Sequence, residues 1–199
     1  MHFKAWRRLA NSIGIDFDEK RNEELKGVGR TESLIKILSW GGIEKTKEER
    51  IQLAHQKNQW YKIYLDDLGP DNMLPGVLDF IDELIAANVK IGLGSASKNA
   101  QPILEKIGII DRFDNIIDGT KTTKGKPDPQ VFVMGAEGLD VEPQHCVVFE
   151  DAQAGIQAAN RGGFYSVGVG DPETLADADA NILNFNNFNF KLLKTLLNI

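Results

Sequence analysis

Cys146-Val147-Val148-Phe149-Glu150-Asp151 runs four apolar or β-capable residues straight into two adjacent carboxylates. Ala152-Gln153-Ala154-Gly155-Ile156-Gln157-Ala158-Ala159 then begins a pattern of helical type. A short continuous apolar run bounded by polar residues reads as a strand buried on both faces, as in a parallel sheet. In open α/β sheets ligand chemistry gathers at the carboxyl ends of the strands, where Glu150 and Asp151 fall. Two neighbouring anions repel unless something positive lies beside them, and a hard divalent cation such as Mg²⁺ suits that place. The plainer alternative is an acidic pair that faces water or caps the next helix.

Outward from this strand the same grammar repeats. Val89-Lys90-Ile91-Gly92-Leu93-Gly94, Asn115-Ile116-Ile117-Asp118 and Tyr165-Ser166-Val167-Gly168-Val169 read as further strands, with Asn181-Ile182-Leu183 as an edge strand. Helices are expected between them. One opens at Pro75-Gly76 with Leu78, Ile81, Leu84 and Ile85 on one face, one spans about 100–107, and one follows Asp128-Pro129 as N-cap and first-turn proline. Another runs to Gly162-Gly163, and a last helix lies near 190–197. Alternation of this kind predicts a doubly wound parallel α/β sheet over residues 69–199.

Before Gly69-Pro70 the pattern is helical throughout, and residues 1–68 are expected to form a small all-helical domain. Phe3, Trp6, Leu9, Ala10 and Ile13 recur at helical spacing ahead of Gly14. A second helix is predicted from Asp18 to Lys26, and a third from Arg30 or Thr31 to the Gly41-Gly42 break. Thr46 with Glu49 is a capping-box signature, and the long helix after it should turn Leu53, Trp60, Ile63 and Tyr64 inward.

Composition excludes several classes. With 199 residues, 42% of them hydrophobic and 26% charged, the chain can form one large globular domain or two smaller ones. A formal charge of −6 argues against a non-specific nucleic-acid or membrane-surface binder. The single cysteine, Cys146, permits no internal disulfide and reads as a plain core thiol. No apolar run approaches the ~20 residues that span a bilayer, and the first residues lack a signal-peptide apolar region, so a cytoplasmic protein is expected.

Two further strand ends offer polar groups. Ser95-Ala96-Ser97-Lys98-Asn99 places a hydroxyl, backbone N–H groups and an amide where a phosphate could be cradled, although Ser97 or Asn99 could equally cap a helix. Lys126 sits ahead of Pro127-Asp128-Pro129, and the prolines fix the backbone around it. An ammonium so held neutralises a phosphoryl group, pairs with an acid, or is simply solvated beside Lys121 and Lys124.

Taken in order, strand-Ser-x-Ser, then Lys-Pro-Asp-Pro before a helix, then strand-Glu-Asp resembles the haloacid dehalogenase-like superfamily. Within it the chain is similar to the β-phosphoglucomutase family. Gly94 to Asn99, Gly125 to Pro129 and Phe149 to Ile156 match that family's second to fourth motifs. His2-Phe3-Lys4-Ala5-Trp6, Leu25-Lys26-Gly27-Val28-Gly29-Arg30, Ser33 and Lys57-Asn58 match its helical cap. The resemblance implies a cap over 1–68 and a core over 69–199. It implies an isomerase of β-D-glucose 1-phosphate and glucose 6-phosphate working through an aspartyl phosphate and a bisphosphate intermediate. Ser95, Lys126 and His2 would then be catalytic, with Glu150 and Asp151 holding Mg²⁺. Trp6, Lys26, Gly27, Val28, Arg30, Ser33, Lys57, Ala96, Ser97, Lys98 and Asn99 would bind substrate. The partner would be a small-molecule sugar phosphate and the protein a monomer. Alternatives are a sugar-phosphate phosphatase of the same superfamily and a non-catalytic Mg²⁺- or sugar-phosphate-binding chain. A response-regulator receiver is disfavoured, because its acidic pair precedes the hydroxyl and lysine.

The chain departs from the family in three places. The Asp-x-Asp-Gly motif, which would supply nucleophile and general acid/base from a first core strand, does not occur. Asp16-Phe17-Asp18 has the spacing but reads as a loop and helix cap. Gly29 and Ala152 stand where serine is usual. The first core strand is therefore expected to be missing, leaving two buried strand edges unpaired, in either a partial chain or a catalytically dead protein.

Overall fold

Helices account for all the regular structure between His2 and Leu65 in the computed structural model, which describes residues 1–198. The chain divides into two compact units, Met1–Leu68 and Gly69–Ile199.

The first unit contains α1 (His2–Ser12), α2 (Glu19–Glu23), α3 (Arg30–Trp40) and α4 (Lys47–Leu65), with α1 and α3 packed on α4. Ala5, Trp6, Leu9 and Ala10 form the buried stripe of α1, and the last three meet Phe17, Leu34, Ile37 and Leu38 in one core. Asp16-Phe17-Asp18 is structural: Phe17 is core, and Asp18 caps α2 by accepting from Arg21 N at 2.8 Å. The α2 helix is shorter than expected, because the chain from Glu24 to Gly29 follows turns rather than a helix.

At the start of α4 the Thr46 hydroxyl accepts from Glu49 N (3.2 Å), and the Glu49 carboxylate accepts from Thr46 N (2.8 Å). Thr46→Ala should cost about 1 kcal/mol in a urea unfolding experiment; an unchanged midpoint would deny this cap its role. The inward stripe of α4 differs in part from expectation: Leu53 and Trp60 pack against the core as expected. Lys57, Tyr61 and Leu65 are buried at i, i+4, i+8, while Ile63 is 59% exposed. Apolar identity alone does not set helix phase, since a lysine stem packs as hydrocarbon.

The second unit contains α5 (Val77–Ala86), β1 (Gly92–Gly94), α6 (Ala100–Lys106), β2 (Asn115–Ile117) and α7 (Gln130–Leu139). It continues with β3 (Val147–Glu150), α8 (Gln153–Arg161), β4 (Tyr165–Val169), β5 (Ala180–Ile182) and α9 (Phe190–Leu197). All pairings are parallel, as the strand-helix alternation predicts. The strands fall into two sheets, β1-β2 and β3-β4-β5. Register is Leu93↔Ile116 in the first sheet, with Phe149↔Val167 and Gly168↔Asn181 in the second.

One core nevertheless runs beneath both sheets. Ile117 from β2, Val131, Phe132 and Ala136 from α7, Val148 from β3, and Ala158 and Ala159 from α8 form a single cluster. A second cluster joins Phe80 of α5, Val167 of β4, the loop residue Phe185, and Leu193 of α9. On α5 the expected face holds at Ile81, which is buried, and at Leu84, which packs against the second cluster, while Phe80 joins it and Ile85 is exposed. β1, β2 and β3 are one to three residues shorter than their expected runs, β4 coincides with its run, and β5 starts one residue earlier; Cys146 lies just before β3, half-buried. Among the described residues no helix is long and apolar enough to cross a membrane.

Candidate active site

The carboxyl ends of β1 and β3 are joined by one ammonium. Lys126 Nζ donates to Glu150 Oε2 at 2.6 Å and to Gly94 O at 3.3 Å. Both side chains are buried, Lys126 being 8% and Glu150 9% exposed. The Lys126–Pro127 bond is cis, and Asp128 accepts from Gln130 N (3.0 Å) at the start of α7. The ammonium also lies 4.5 Å from the Phe132 ring centroid. Gly94 permits that approach, since a Cβ there would stand 2.7 Å from Phe132.

Glu150 was expected to hold a metal beside Asp151. Instead its Oε2 takes Lys126 and its Oε1 accepts from Ala152 N at 3.2 Å. Gly155 lies directly against the carboxyl group, where a Cβ would approach within 2.1 Å. Burial pushes the Glu150 carboxyl above its ordinary range, against the pull of Lys126. Asp151 is exposed. No group of three metal-ligating side chains exists among the described residues. A buried carboxylate is drawn to the nearest buried cation, and Glu150 meets Lys126 beside the exposed Asp151.

In the loop after β1, the hydroxyls turn to the backbone. Ser95 Oγ accepts from Ser97 N and Ser97 Oγ accepts from Asn99 N, each at 3.1 Å. Asn99 stands at the N-cap of α6 and is buried, while Lys98 is exposed. Ser95 N donates to Ile117 O (2.9 Å) and Gly119 N to Ser97 O (3.2 Å), so this loop is fixed to the end of β2. Asp118 there is buried and accepts from Thr120 N at 2.9 Å. It escaped the sequence reading because it looked like the last residue of a strand. A further Asp-x-Asp, Asp177-Ala178-Asp179, is also structural: Asp179 Oδ2 accepts from Ser166 N (2.7 Å) and Ser166 Oγ (3.0 Å).

The helical unit gathers a second set of groups. Lys57 is 1% exposed, and its Nζ lies 2.9 Å from His2 Nδ1. That ammonium stands 4.3 Å from the Trp6 ring centroid and 4.8 Å from that of Tyr61. The His2 and Tyr61 rings stack at 4.1 Å. Burial first, then the charge of Arg30, lowers Lys57 to about 7. Desolvation of its ring and the charge of Lys57 lower His2 to about 3. Burial pushes Tyr61 up to about 12. Arg30 opens α3 half-buried, and among the described residues neither it nor Lys57 pairs with a carboxylate. Two cations with no anion beside them make a place for an anionic ligand.

Of the other predicted binding residues, Ser33 is buried with its hydroxyl 3.4 Å from Val28 O. Gly27 has φ +72°, and Val28 is half-buried. Lys26 is exposed and pairs with Glu23 at 2.7 Å, so it does not join Lys57 and Arg30. A surface depression of about 530 Å³ lined by Lys45, Glu49, Leu53 and Trp60, among others, contains none of the predicted residues.

Comparison with known proteins places these features in a family. The haloacid dehalogenase-like hydrolase family matches residues 1–163. The chain is 43% identical over 194 residues to β-phosphoglucomutase of Bacillus subtilis (strain 168), covering 96% of this chain and 86% of the relative. It is 27% identical to a phosphorylated carbohydrates phosphatase of Thermotoga maritima, covering 90% of this chain and 84% of the relative. The crystal structure of β-phosphoglucomutase from Clostridium difficile superposes with a TM-score of 0.95 at 42% identity, covering 99% of this chain and 89% of that one. With parallel strands, flanking helices and an all-helical unit in the observed order, this chain belongs to the haloacid dehalogenase-like hydrolase family.

Proposed function

We propose that these residues belong to a β-phosphoglucomutase-type isomerase that interconverts β-D-glucose 1-phosphate and glucose 6-phosphate through an aspartyl phosphate and a bisphosphate intermediate. The protein would act as a cytoplasmic monomer on a small sugar phosphate. The observation that carries this reading is the pair of cations without an anion, Lys57 and Arg30, on a chain 43% identical to a β-phosphoglucomutase. A phosphatase needs to hold one phosphate; an isomerase must also hold the one that is not being transferred.

Each residue then has a chemical task. Lys126, fixed by Glu150 and Gly94 O, supplies positive charge for the equatorial oxygens of the transferring phosphoryl group. Ser95 and the backbone around Ala96 and Ser97 orient that group, and Lys98 and Asn99 are the sugar-phosphate-binding residues of the same loop. Arg30 offers a planar fork to the second phosphate, with Lys57 as a point charge beside it. A bound dianion would raise Lys57 from about 7 and keep it protonated. His2, through its contact with Lys57, and Trp6 shape this cation pair. Asp151, with Glu150 next to it, would hold Mg²⁺, which would neutralise phosphoryl charge; Mg²⁺ is commonly held by one or two carboxylates together with substrate phosphates. The nucleophile, an aspartate in this chemistry, is not among Asp16, Asp18, Asp177 and Asp179, and these residues alone should bind without turnover.

Thermal melting of the chain with glucose 1,6-bisphosphate tests the reading. The melting temperature should rise by several degrees, Arg30→Ala should abolish the rise, and no glucose 6-phosphate should form from β-glucose 1-phosphate. A rise that survives Arg30→Ala would remove the second-phosphate role. Release of inorganic phosphate from glucose 6-phosphate would favour the phosphatase reading, which the Thermotoga maritima relative supports.

A further inference from the structure

Gly119, just past the end of β2, is a glycine for reasons of space alone. Its φ lies outside the left-handed region, so any L residue could adopt the same backbone. A Cβ there would stand 2.3 Å from Ala96 O and 3.0 Å from Ala96 C, both backbone atoms that cannot swing aside. The chain after β2 therefore presses directly on the backbone of the loop after β1. Gly119 N donates to Ser97 O at 3.2 Å and Ser95 N donates to Ile117 O at 2.9 Å, so hydrogen bonds hold that loop on both sides of the contact.

The turn that carries Gly119 is itself held. The buried Asp118 carboxylate accepts from Thr120 N at 2.9 Å and from Thr120 Oγ1 at 2.5 Å, which closes a turn with Gly119 at its middle. On the far side of the contact lies the Ala96–Ser97 peptide. Its N–H, on Ser97, is donated to Ser95 Oγ at 3.1 Å. That bond takes one lone pair of the hydroxyl and leaves its hydrogen to be donated elsewhere. Ala96 O and Ser97 N belong to one rigid peptide plane, so a push on Ala96 O turns the N–H that aims the Ser95 hydroxyl.

We propose that Gly119, clamped by Asp118 and Thr120, is a positioning residue for the phosphoryl group: its contact with Ala96 O sets the plane of the Ala96–Ser97 peptide and thereby the direction of the Ser95 hydroxyl. This role rests on the reading of Ser95 as a group that orients the phosphoryl. Gly119 has no side chain to offer a ligand, and it acts through Ser95. Affinity for a phosphoryl dianion at this loop is then set in part from β2, by a residue without a functional group of its own.

Titration of the ¹⁵N-labelled chain with inorganic phosphate in MgCl₂, followed at the backbone amides by NMR, tests it. In the parent the Ala96 and Ser97 amides should shift saturably. Gly119→Ala should weaken the affinity by about tenfold or more, as should Ser95→Ala. The double variant should bind no more weakly than Ser95→Ala alone, because both changes act through one hydroxyl. Losses that add would overturn the proposal, since general disturbance of the loop does not need that hydroxyl, and so would parent affinity in Gly119→Ala. Thr120→Val leaves Gly119 in place and removes one of the two bonds that clamp it. It should weaken phosphate binding about fivefold, with Thr120→Ser restoring the parent value. Equal affinity in parent, Thr120→Val and Thr120→Ser would overturn the proposal even where Gly119→Ala does not fold. A parent that gives no phosphate response would remove the phosphoryl reading of Ser95 and this role with it. A parent response that the variants leave unchanged would remove the role of Gly119 alone.

Discussion

Lys126→Met is expected to lower the unfolding free energy by about 3–5 kcal/mol, because it strands the Glu150 carboxylate in a buried site without its cation. Glu150 then keeps only the N–H of Ala152, at 3.2 Å. The pH dependence follows from sign. Burial already raises the Glu150 carboxyl above its ordinary range with Lys126 present, and removing the ammonium raises it further. A carboxyl raised in the folded state contributes stability below its unfolded value of about 4.3, and that stability is lost as pH rises through the folded value. Urea unfolding of Lys126→Met should therefore show less stability at pH 8 than at pH 5. In Lys126→Met/Glu150→Gln, with no charge left to strand, a large part of the loss should return. A single-variant loss under about 1 kcal/mol would mean the pair is well solvated, contrary to its burial.

The other large effect is expected at Lys57, where a charge is held among Trp6, Tyr61 and His2 with no carboxylate partner among the described residues. Its value of about 7 lies below the ordinary lysine value of 10.5, so between the two the unfolded chain binds more protons than the folded one. Stability must then rise with pH across that window, with the full cost present below it. Lys57→Met removes the titration. At pH 7 and below it should melt higher than the parent, since every tenfold weakening of the lysine's hold on its proton costs the folded state about 1.4 kcal/mol. The gain is reduced by the lost cation–π contacts, worth about 1–2 kcal/mol. The same variant should lose most of its response to glucose 1,6-bisphosphate. Parallel melting curves for parent and variant from about pH 6 to pH 10 would sink this account. A stabilising substitution that weakens ligand response is the signature of a residue kept for binding at a cost in stability.

What the sequence determined alone was the order and kind of the elements. The apolar runs around Leu93, Ile116, Phe149 and Val167 are too short and too continuous for surface helices, and each lies between helical stretches. Parallel pairing followed, because such strands need a crossover between them. The division near Gly69 was legible for a similar reason, since no strand-like run precedes it. Capping was legible too: Thr46-Glu49 and Asp18 act through neighbours within three residues, which local sequence reports directly.

Only the tertiary structure decided which charges meet. Lys126 and Glu150 are 24 residues apart, and Lys57 and His2 are 55 apart. Both contacts depend on how elements pack, and local patterns carry nothing about that. Adjacency in sequence linked Glu150 to Asp151, and only packing brings Lys126 onto Glu150. Glu150 closes β3 and is buried, whereas Asp151 lies past the strand end and is exposed, and a buried carboxylate takes the buried cation beside it. The same limit explains α4, where the inward stripe runs through Lys57 rather than Ile63. Which face of a helix is buried is decided by the shape of what it packs against, and here that surface is a set of rings that accept an ammonium.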